Sequence, residues 1–384
     1  MPESTERDAR ELELVCSMVQ AMWRAKGIGA PETLQMALRA AILAEKTGNL
    51  AELIGQLNLR RIIMTRGGDF AGAASLAHRL LELAEREGSA ISFSNAYHGM
   101  LQAHLYGGDL VGTETQFALW RKYRDADVSS VHSAASVVVI LNAALCALMM
   151  GRISLARDRM AEAIAFASAM KDPFALMIGK MLESLFYRHL REPEAAMAAA
   201  SLSLAISEEN FMPFGSGVRS LKAWALAQLG NLEKGLVLMR EDIADGATRS
   251  GGSLVNTHLT HSELQAMAGM YDAAMDSIQV ALSPQNQDES IRPEILRVRG
   301  EIWFRLGNRD AAEADFLAAV ARAKAGSARM FELRAATSLA RLLRDTDRRD
   351  ETRAMLAEIY NWFTEGFDTS DLKEAKALLD ELTA

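Results

Sequence analysis

Cysteine is almost missing from this chain of 384 residues: there are two, Cys16 and Cys146, far apart and in helical surroundings. That leaves no material for a disulfide framework or a cysteine-rich zinc site, and it predicts two reduced, buried thiols. Proline is scarce too, at 7 residues, and aromatics make up only 6%. With few helix breakers and few strand formers, an alanine- and leucine-rich text favours helices over sheets. Positive charge is not in excess: 42 Lys and Arg stand against 50 Asp and Glu, for a net charge of -8. A general nucleic-acid footprint is thereby excluded. The chain also lacks a GxxxxGK[ST] loop, an HExxH pair and a CxxC pair, so no phosphate cradle, zincin centre or redox dithiol is written in it. The opening stretch, MPESTERDARELELV, is charged and has no apolar core of the signal-peptide kind. These absences predict a cytoplasmic protein with no cofactor, no metal and no catalytic residues.

One long apolar run is present. Residues 134–150, AASVVVILNAALCALMM, carry only Ser136 and Asn142 as polar side chains over 17 residues. That is short of the roughly 20 residues a membrane span needs. The run falls in register with the repeats described next, and we read it as a central helix buried on most sides rather than a membrane span.

What is present is a repeat. The stretch 293–325, PEILRVRGEIWFRLGNRDAAEADFLAAVARAKA, reads as two amphipathic helices joined at Leu306-Gly307-Asn308. Gly300, Ala312 and Ala319 are small residues that let the two backbones approach, and Phe316 fills the space between them. The position of Gly307 recurs as Gly68, Gly108, Gly151, Arg191, Gly230, Gly269 and Asp347, at intervals of 40, 43, 40, 39, 39, 38 and 40. A small residue stands five positions after each: Ala73, Thr113, Ala156, Ala196, Gly235, Ala274, Ala312 and Thr352. Another stands seven before, as Ala144, Ser184, Ala223, Ser262, Gly300 and Ala340, whereas the first two units carry Arg61 and Leu101 there.

The fold predicted is all-α: a tetratricopeptide-like solenoid of helical hairpins wound as a right-handed superhelix. It has eight or nine helix pairs and a C-terminal capping helix. We expect one domain over 1–384. Within it, 1–48 form a divergent N-terminal pair, 49–369 hold repeats of about 39–40 residues, and 370–384 form a cap starting at Ser370 with Asp371 at its positive end.

In such an array the first helix of each unit lines the concave groove, at positions 13, 10, 6 and 3 before the turn residue. In the third to fifth units this selects Val138, Leu141, Leu145 and Leu148, then Ile178, Met181, Leu185 and Arg188, then Trp224 and Ala227. In the eighth it selects Arg334, Thr337, Arg341 and Arg344. The inner face then reads as apolar in the middle and basic near the carboxyl end. We take Leu141, Leu145, Met181, Leu185, Arg188, Trp224, Arg334, Arg341 and Arg344 as candidate partner-binding residues. The opposing reading, which applies above all to Leu141 and Leu145, is that the superhelix closes and these inner residues simply meet each other. His258, His261 and Glu263 have the spacing of metal ligands on one helix face, but no further ligand is identifiable, and they read as a solvated face.

The stretches ELRAATSLARLL and YNWFTEGFDTSDLKEAKALL resemble the carboxyl-terminal tails of bacterial multidomain signalling proteins. In these, an adenylate or guanylate cyclase or DNA-binding domain precedes an AAA- or STAND-type ATPase and a tetratricopeptide-like array. The likeness is strongest from about Ile295 and looser before it, as in KAWALAQLGNLEKGL. It implies an interaction or sensor module in signal transduction that lacks the catalytic motifs of its relatives. It also implies a peptide or protein partner, a signalling ATPase or cyclase among the options. A second class remains open, a small-molecule effector sensor, which would be betrayed by a closed polar pocket.

Overall fold

The computed structural model describes residues 5–26, 30–126, 134–212, 217–248, 254–284 and 287–383. Among them are nineteen helices and no strand. The first hairpins are α1 (Thr5–Lys26) with α2 (Pro31–Thr47), α3 (Leu50–Arg66) with α4 (Phe70–Glu87), and α5 (Ala90–Tyr106) with α6 (Leu110–Ala126). The middle ones are α7 (Ala134–Met149) with α8 (Ile153–Ala169), α9 (Pro173–Leu190) with α10 (Pro193–Glu209), and α11 (Val218–Gln228) with α12 (Leu232–Thr248). Then come α13 (Leu254–Met267) with α14 (Tyr271–Ala281), α15 (Arg292–Arg305) with α16 (Arg309–Ala325), α17 (Arg329–Leu343) with α18 (Arg349–Asn361), and a last helix, α19 (Ser370–Thr383). Nine pairs and a terminal helix make an all-α, tetratricopeptide-like solenoid. The sequence stretches between α6 and α7 and between α12 and α13 lie outside the described residues.

The turn chemistry explains the period. Gly68, Gly108, Gly151, Arg191, Gly230, Gly269 and Gly307 all sit in the left-handed region, at φ between 60° and 85°. Each lets the next N–H turn back on the helix it has left: Asp69 to Met64 O at 2.9 Å, Asp109 to His104 O at 2.9 Å and Asn308 to Trp303 O at 2.9 Å. That bond satisfies a carbonyl the helix end would leave open. Asp69 and Asn308 then cap the following helix, their carboxylate or amide oxygens accepting from the N–H of Gly72 and Ala311. The eighth turn differs. Asp347 is not among the left-handed residues; α17 ends at Leu343, whose carbonyl accepts from the Thr346 hydroxyl at 2.7 Å. The last cap also shifts by one residue, because Lys373 N–H donates to Thr369 O and Ser370 is already helical.

The small positions seal each hairpin. Ser184 Oγ donates to Ala196 O at 2.8 Å and Ser262 Oγ to Ala274 O at 2.7 Å, joining the two small sites of one unit. In the first unit Arg61 occupies the small site and is buried, donating to Asn58 Oδ1 at 3.0 Å and Gln102 Oε1 at 2.5 Å. Cys16 donates to Glu52 at 2.9 Å, and burial pushes its thiol up to about 12; Cys146 is buried, and both are free thiols.

The superhelix returns on itself. The turn at Gly108 meets the segment before α15, where Glu289 N–H donates to Tyr106 O at 2.8 Å. The turn at Gly151 meets the end of α18: a Cβ there would stand 2.7 Å from the Phe363 ring, so glycine is needed for contact as well as for its φ. Arg191, the next turn residue, pairs with Asp371 and Glu374 of α19. One continuous core accordingly contains Leu141, Leu145 and Leu148 of α7 together with Met330, Phe331 and Leu333 of α17 and Leu372 of α19. This is where the apolar run of α7 is buried. Among the described residues no helix is long and apolar enough to cross a membrane.

The return segment contains a titratable group out of its normal range. Asp288 is buried, which pushes its carboxyl up to about 6 despite hydrogen bonds from Ser290 and the positive Arg292 nearby. In an unfolded chain it would titrate near about 3.9. The folded state thus holds this proton more tightly, so the stability it brings is full below about pH 4 and lost as pH rises through about 6. Asp288→Asn should make the protein more stable than wild type at pH 7.5 and flatten this part of the pH dependence. Urea midpoints at pH 5 and 7.5 check it; parallel shifts of both proteins would contradict it.

Candidate functional site

The first helices of the later hairpins, α9, α11, α13, α15 and α17, face inward, and α19 closes the circle back to α9. Between them lies a cavity of about 190 Å3. A wider one of about 270 Å3 adjoins it and shares Gln228, Glu263 and Arg297 with it. Ala266, Met267, Val298 and Ile302 give the wider cavity an apolar wall.

The narrower cavity is walled by ion pairs. At the end of α9, Arg188 Nη2 donates to Glu263 Oε2 of α13 at 2.7 Å, and its guanidinium lies 5.9 Å from the Trp224 ring of α11. On α15, Arg297 takes Glu294 in a fork, at 3.0 and 2.7 Å. Arg334 of α17 stands 3.7 Å from the same Glu294 and donates to Asp371 of α19 at 3.0 and 2.7 Å, and also to His189 O. Asp371 accepts from Arg191 at 3.2 Å; Glu374 then takes Arg191 at 2.7 Å and Arg341 at 2.9 Å. Cation and anion alternate around most of the wall. Burial alone would raise the Glu294 carboxyl, but Arg297 and Arg334 overcome it and hold the group well below the usual carboxylate range. Burial, with Arg188 and Arg334 close by, pushes the His189 imidazole down to about 3, so it stays neutral.

Of the residues selected from sequence, Arg188, Trp224, Arg334 and Arg341 come together on this cavity. Leu141 and Leu145 are 0% and 4% exposed in the core shared by α7 and α17, so they offer no surface to a partner in this structure. Met181 and Leu185 are half-buried against Val218 and Leu221 of α11. Arg344 is exposed outside the cavity, paired with Asp345 and Glu381. His261 Nδ1 lies 3.3 Å from Ser277 Oγ, while Glu263 faces the arginines. Among the described residues no three metal-ligating side chains converge on one point. Glu294, Arg297, Asp371, Glu374 and Arg191 were missed by the sequence reading. Extending the groove rule to the sixth and seventh units selects Glu263, Glu294 and Arg297 at once. An arginine at a turn position otherwise held mostly by glycine was the signal for Arg191.

Comparison with known proteins agrees on the fold. A Rap protein complexed with Competence and Sporulation Factor is similar over 86% of this chain and 98% of its own, with 10% identity and a TM-score of 0.55. A tetratricopeptide repeat protein from Parabacteroides merdae ATCC 43184 matches over 76% of this chain and 99% of its own, with 14% identity and a TM-score of 0.43. A STAND protein with a tetratricopeptide repeat sensor, from Pyrococcus horikoshii, matches all of this chain and 55% of its own length, with 13% identity and a TM-score of 0.47. No family model matches the chain, and no curated protein matches it in sequence.

Proposed function

We propose that this chain is a non-catalytic tetratricopeptide-like binding module of a signalling system, and that its inner channel receives a short peptide segment of a protein partner. The observation that carries the reading is the joined pair of cavities: a polar one walled by ion pairs and an apolar one beside it, sharing Gln228, Glu263 and Arg297. Side-by-side polar and apolar pockets suit a segment that carries both kinds of side chain, with backbone groups left for Gln228, Thr337 and Ser338. The Rap protein of the same fold class, solved with a factor bound, supports a receptor role. The likeness of the carboxyl-terminal third to the tails of cyclase and STAND regulators supports the signalling setting, with such an ATPase or cyclase as partner. The polar cavity is the less open of the two, which favours a second reading, a small-molecule effector as the occupant.

Peptides displayed at random and selected on the purified chain test the first reading. Met267 is 47% exposed and Gln228 is exposed beside it, so Met267→Glu with Gln228→Glu should leave the fold intact. Selected peptides should bind this variant at least about tenfold more weakly, a loss of about 1.4 kcal/mol. Equal binding to both proteins would move the site out of the channel, and no enrichment on wild type would overturn the peptide reading.

A further inference from the structure

One arginine in the channel is left out of the charge pairing. The ion pairs run from Glu301 through Arg297 to Arg341 as one chain that alternates in sign and holds four of each. Arg188 and Glu263 form a further pair. Of the six arginines that line the two cavities, that leaves Arg305, in the last turn of α15, with no ion pair among the described residues. Its neighbours make the omission specific. Arg292, Arg297 and Arg299 of the same helix each hold a carboxylate: Glu289 at 3.3 Å, Glu294 at 2.7 Å and Asp315 at 2.6 Å. Glu301 stands four residues before Arg305, the spacing at which a glutamate and a following cation pair on a helix surface. Instead Glu301 accepts from Ser338 Oγ at 2.7 Å and lies 3.8 Å from Arg297. Arg305 suits the negative end of the α15 dipole, but that use occupies none of its N–H donors.

The free guanidinium is exposed, and it lines the wider cavity of about 270 Å3 together with Met267, Val298 and Ile302. Two more donors line the same cavity. The Tyr271 hydroxyl has no hydrogen-bond partner among the described residues, and Gln228 Nε2 has only the Met267 thioether at 3.6 Å, a weak acceptor. The two carboxylates of this wall are already engaged, Glu263 by Arg188 and Glu301 by Ser338. An apolar wall with unspent donors along it is matched by a ligand that is apolar in body and carries an anionic acceptor at one end.

From this we propose that the wider cavity binds an alkyl carboxylate: the alkyl chain lies on Met267, Val298 and Ile302, and the carboxylate takes the guanidinium of Arg305. This deepens the channel reading above and rests on it, since it assigns the part of the occupant that the wider cavity receives. The group has two sources, the carboxyl end of a peptide that finishes in an aliphatic residue and a free short-chain acid. In either case the carboxylate gains a charge-assisted bond without displacing any existing ion pair.

The test uses the full chain at constant ionic strength, with ligand-observed NMR reading the methyl signals of each probe. Isocaproate should bind with a dissociation constant of about 1 mM or tighter. Isocaproamide keeps the shape and loses the charge, and acetate keeps the charge and loses the alkyl chain; each should bind at least about tenfold more weakly. Arg305→Gln removes an exposed, unpaired side chain and should leave the fold intact. It should weaken the acid at least about tenfold and leave the amide unchanged. Arg353→Gln, which removes an exposed arginine of α18 outside both cavities, should change neither. N-acetyl-leucine separates the sources: binding at least as tight as isocaproate supports a peptide end, and weaker binding supports a free acid. No binding of isocaproate to wild type, equal binding of acid and amide, or undiminished affinity in Arg305→Gln overturns the inference. Failure of these arms while selected peptides still bind the channel overturns this inference alone. Failure of the peptide selection with isocaproate still bound overturns the peptide reading and leaves the cavity to a free acid.

Discussion

Asp371→Ala should remove about 3–5 kcal/mol of unfolding free energy at neutral pH. Asp371 is 4% exposed at the start of α19, where it accepts two bonds from Arg334 and one from Arg191. Taking it away leaves the guanidinium of Arg334, itself 9% exposed, buried with the His189 carbonyl and the more distant carboxylate of Glu294 at 3.7 Å. Desolvation of that cation is then no longer offset, which is the dear half of breaking a buried pair. The carboxylate also stands at the positive end of the α19 dipole, adding a few tenths of a kcal/mol. Urea unfolding measures the loss, and limited proteolysis should show α19 released first. A loss below about 1 kcal/mol would mean that the apolar core, rather than these charges, holds the last helix down.

Phe316→Ala should cost about 3–5 kcal/mol, through lost burial and the cavity left between α15 and α16. The ring is 1% exposed and packs on Gly300: a Cβ built on that glycine would stand 2.5 Å from Cε1 and 2.8 Å from Cδ1. Gly300→Leu alone should therefore be at least as damaging, because the ring has no room to retreat. Combined with Phe316→Ala, the leucine occupies the space the ring has left, and the double variant should lose clearly less than the sum of the two singles. Chemical unfolding of the four proteins gives the coupling directly. Strict additivity would mean that the two positions do not share one packing site.

The repeat was legible because its causes are local. A glycine in the left-handed region, an Asn or Asp cap after it and small residues at two fixed distances are each readable within one unit. Apolar periodicity then sets which face is inward. The site was only half legible: Arg188, Trp224, Arg334 and Arg341 come from this local rule, and extending it would have added Glu263 and Glu294, but Asp371 and Glu374 lie on the terminal helix outside it. Glu294 and Asp371 belong to other units, and which carboxylate meets which arginine depends on how far the superhelix curls. Leu141 and Leu145 illustrate the same limit: periodicity places them inward, while the return of α17 decides that other side chains cover them. Arg191 is the case where local and distant demands conflict. Its backbone is left-handed at φ 60°, which costs a non-glycine residue roughly 1 kcal/mol, and its side chain spans Asp371 and Glu374 in return.

Open solenoids tolerate gain or loss of a unit, since each packs only on its neighbours. The return of α17 and α19 onto α7 and α9 withdraws that freedom. Deleting or duplicating any hairpin between α9 and α17 would carry Asp371 and Phe331 about 10 Å past their seats, the spacing of one packed helix layer. Repeat number is thus under geometric selection here, as strand number is in a closed barrel. Contacts spanning 180 residues, such as Arg191 with Asp371, should also keep the last helices from fraying independently of α9. A lineage carrying this fold should vary in its loops and outer faces far more readily than in its count of turns.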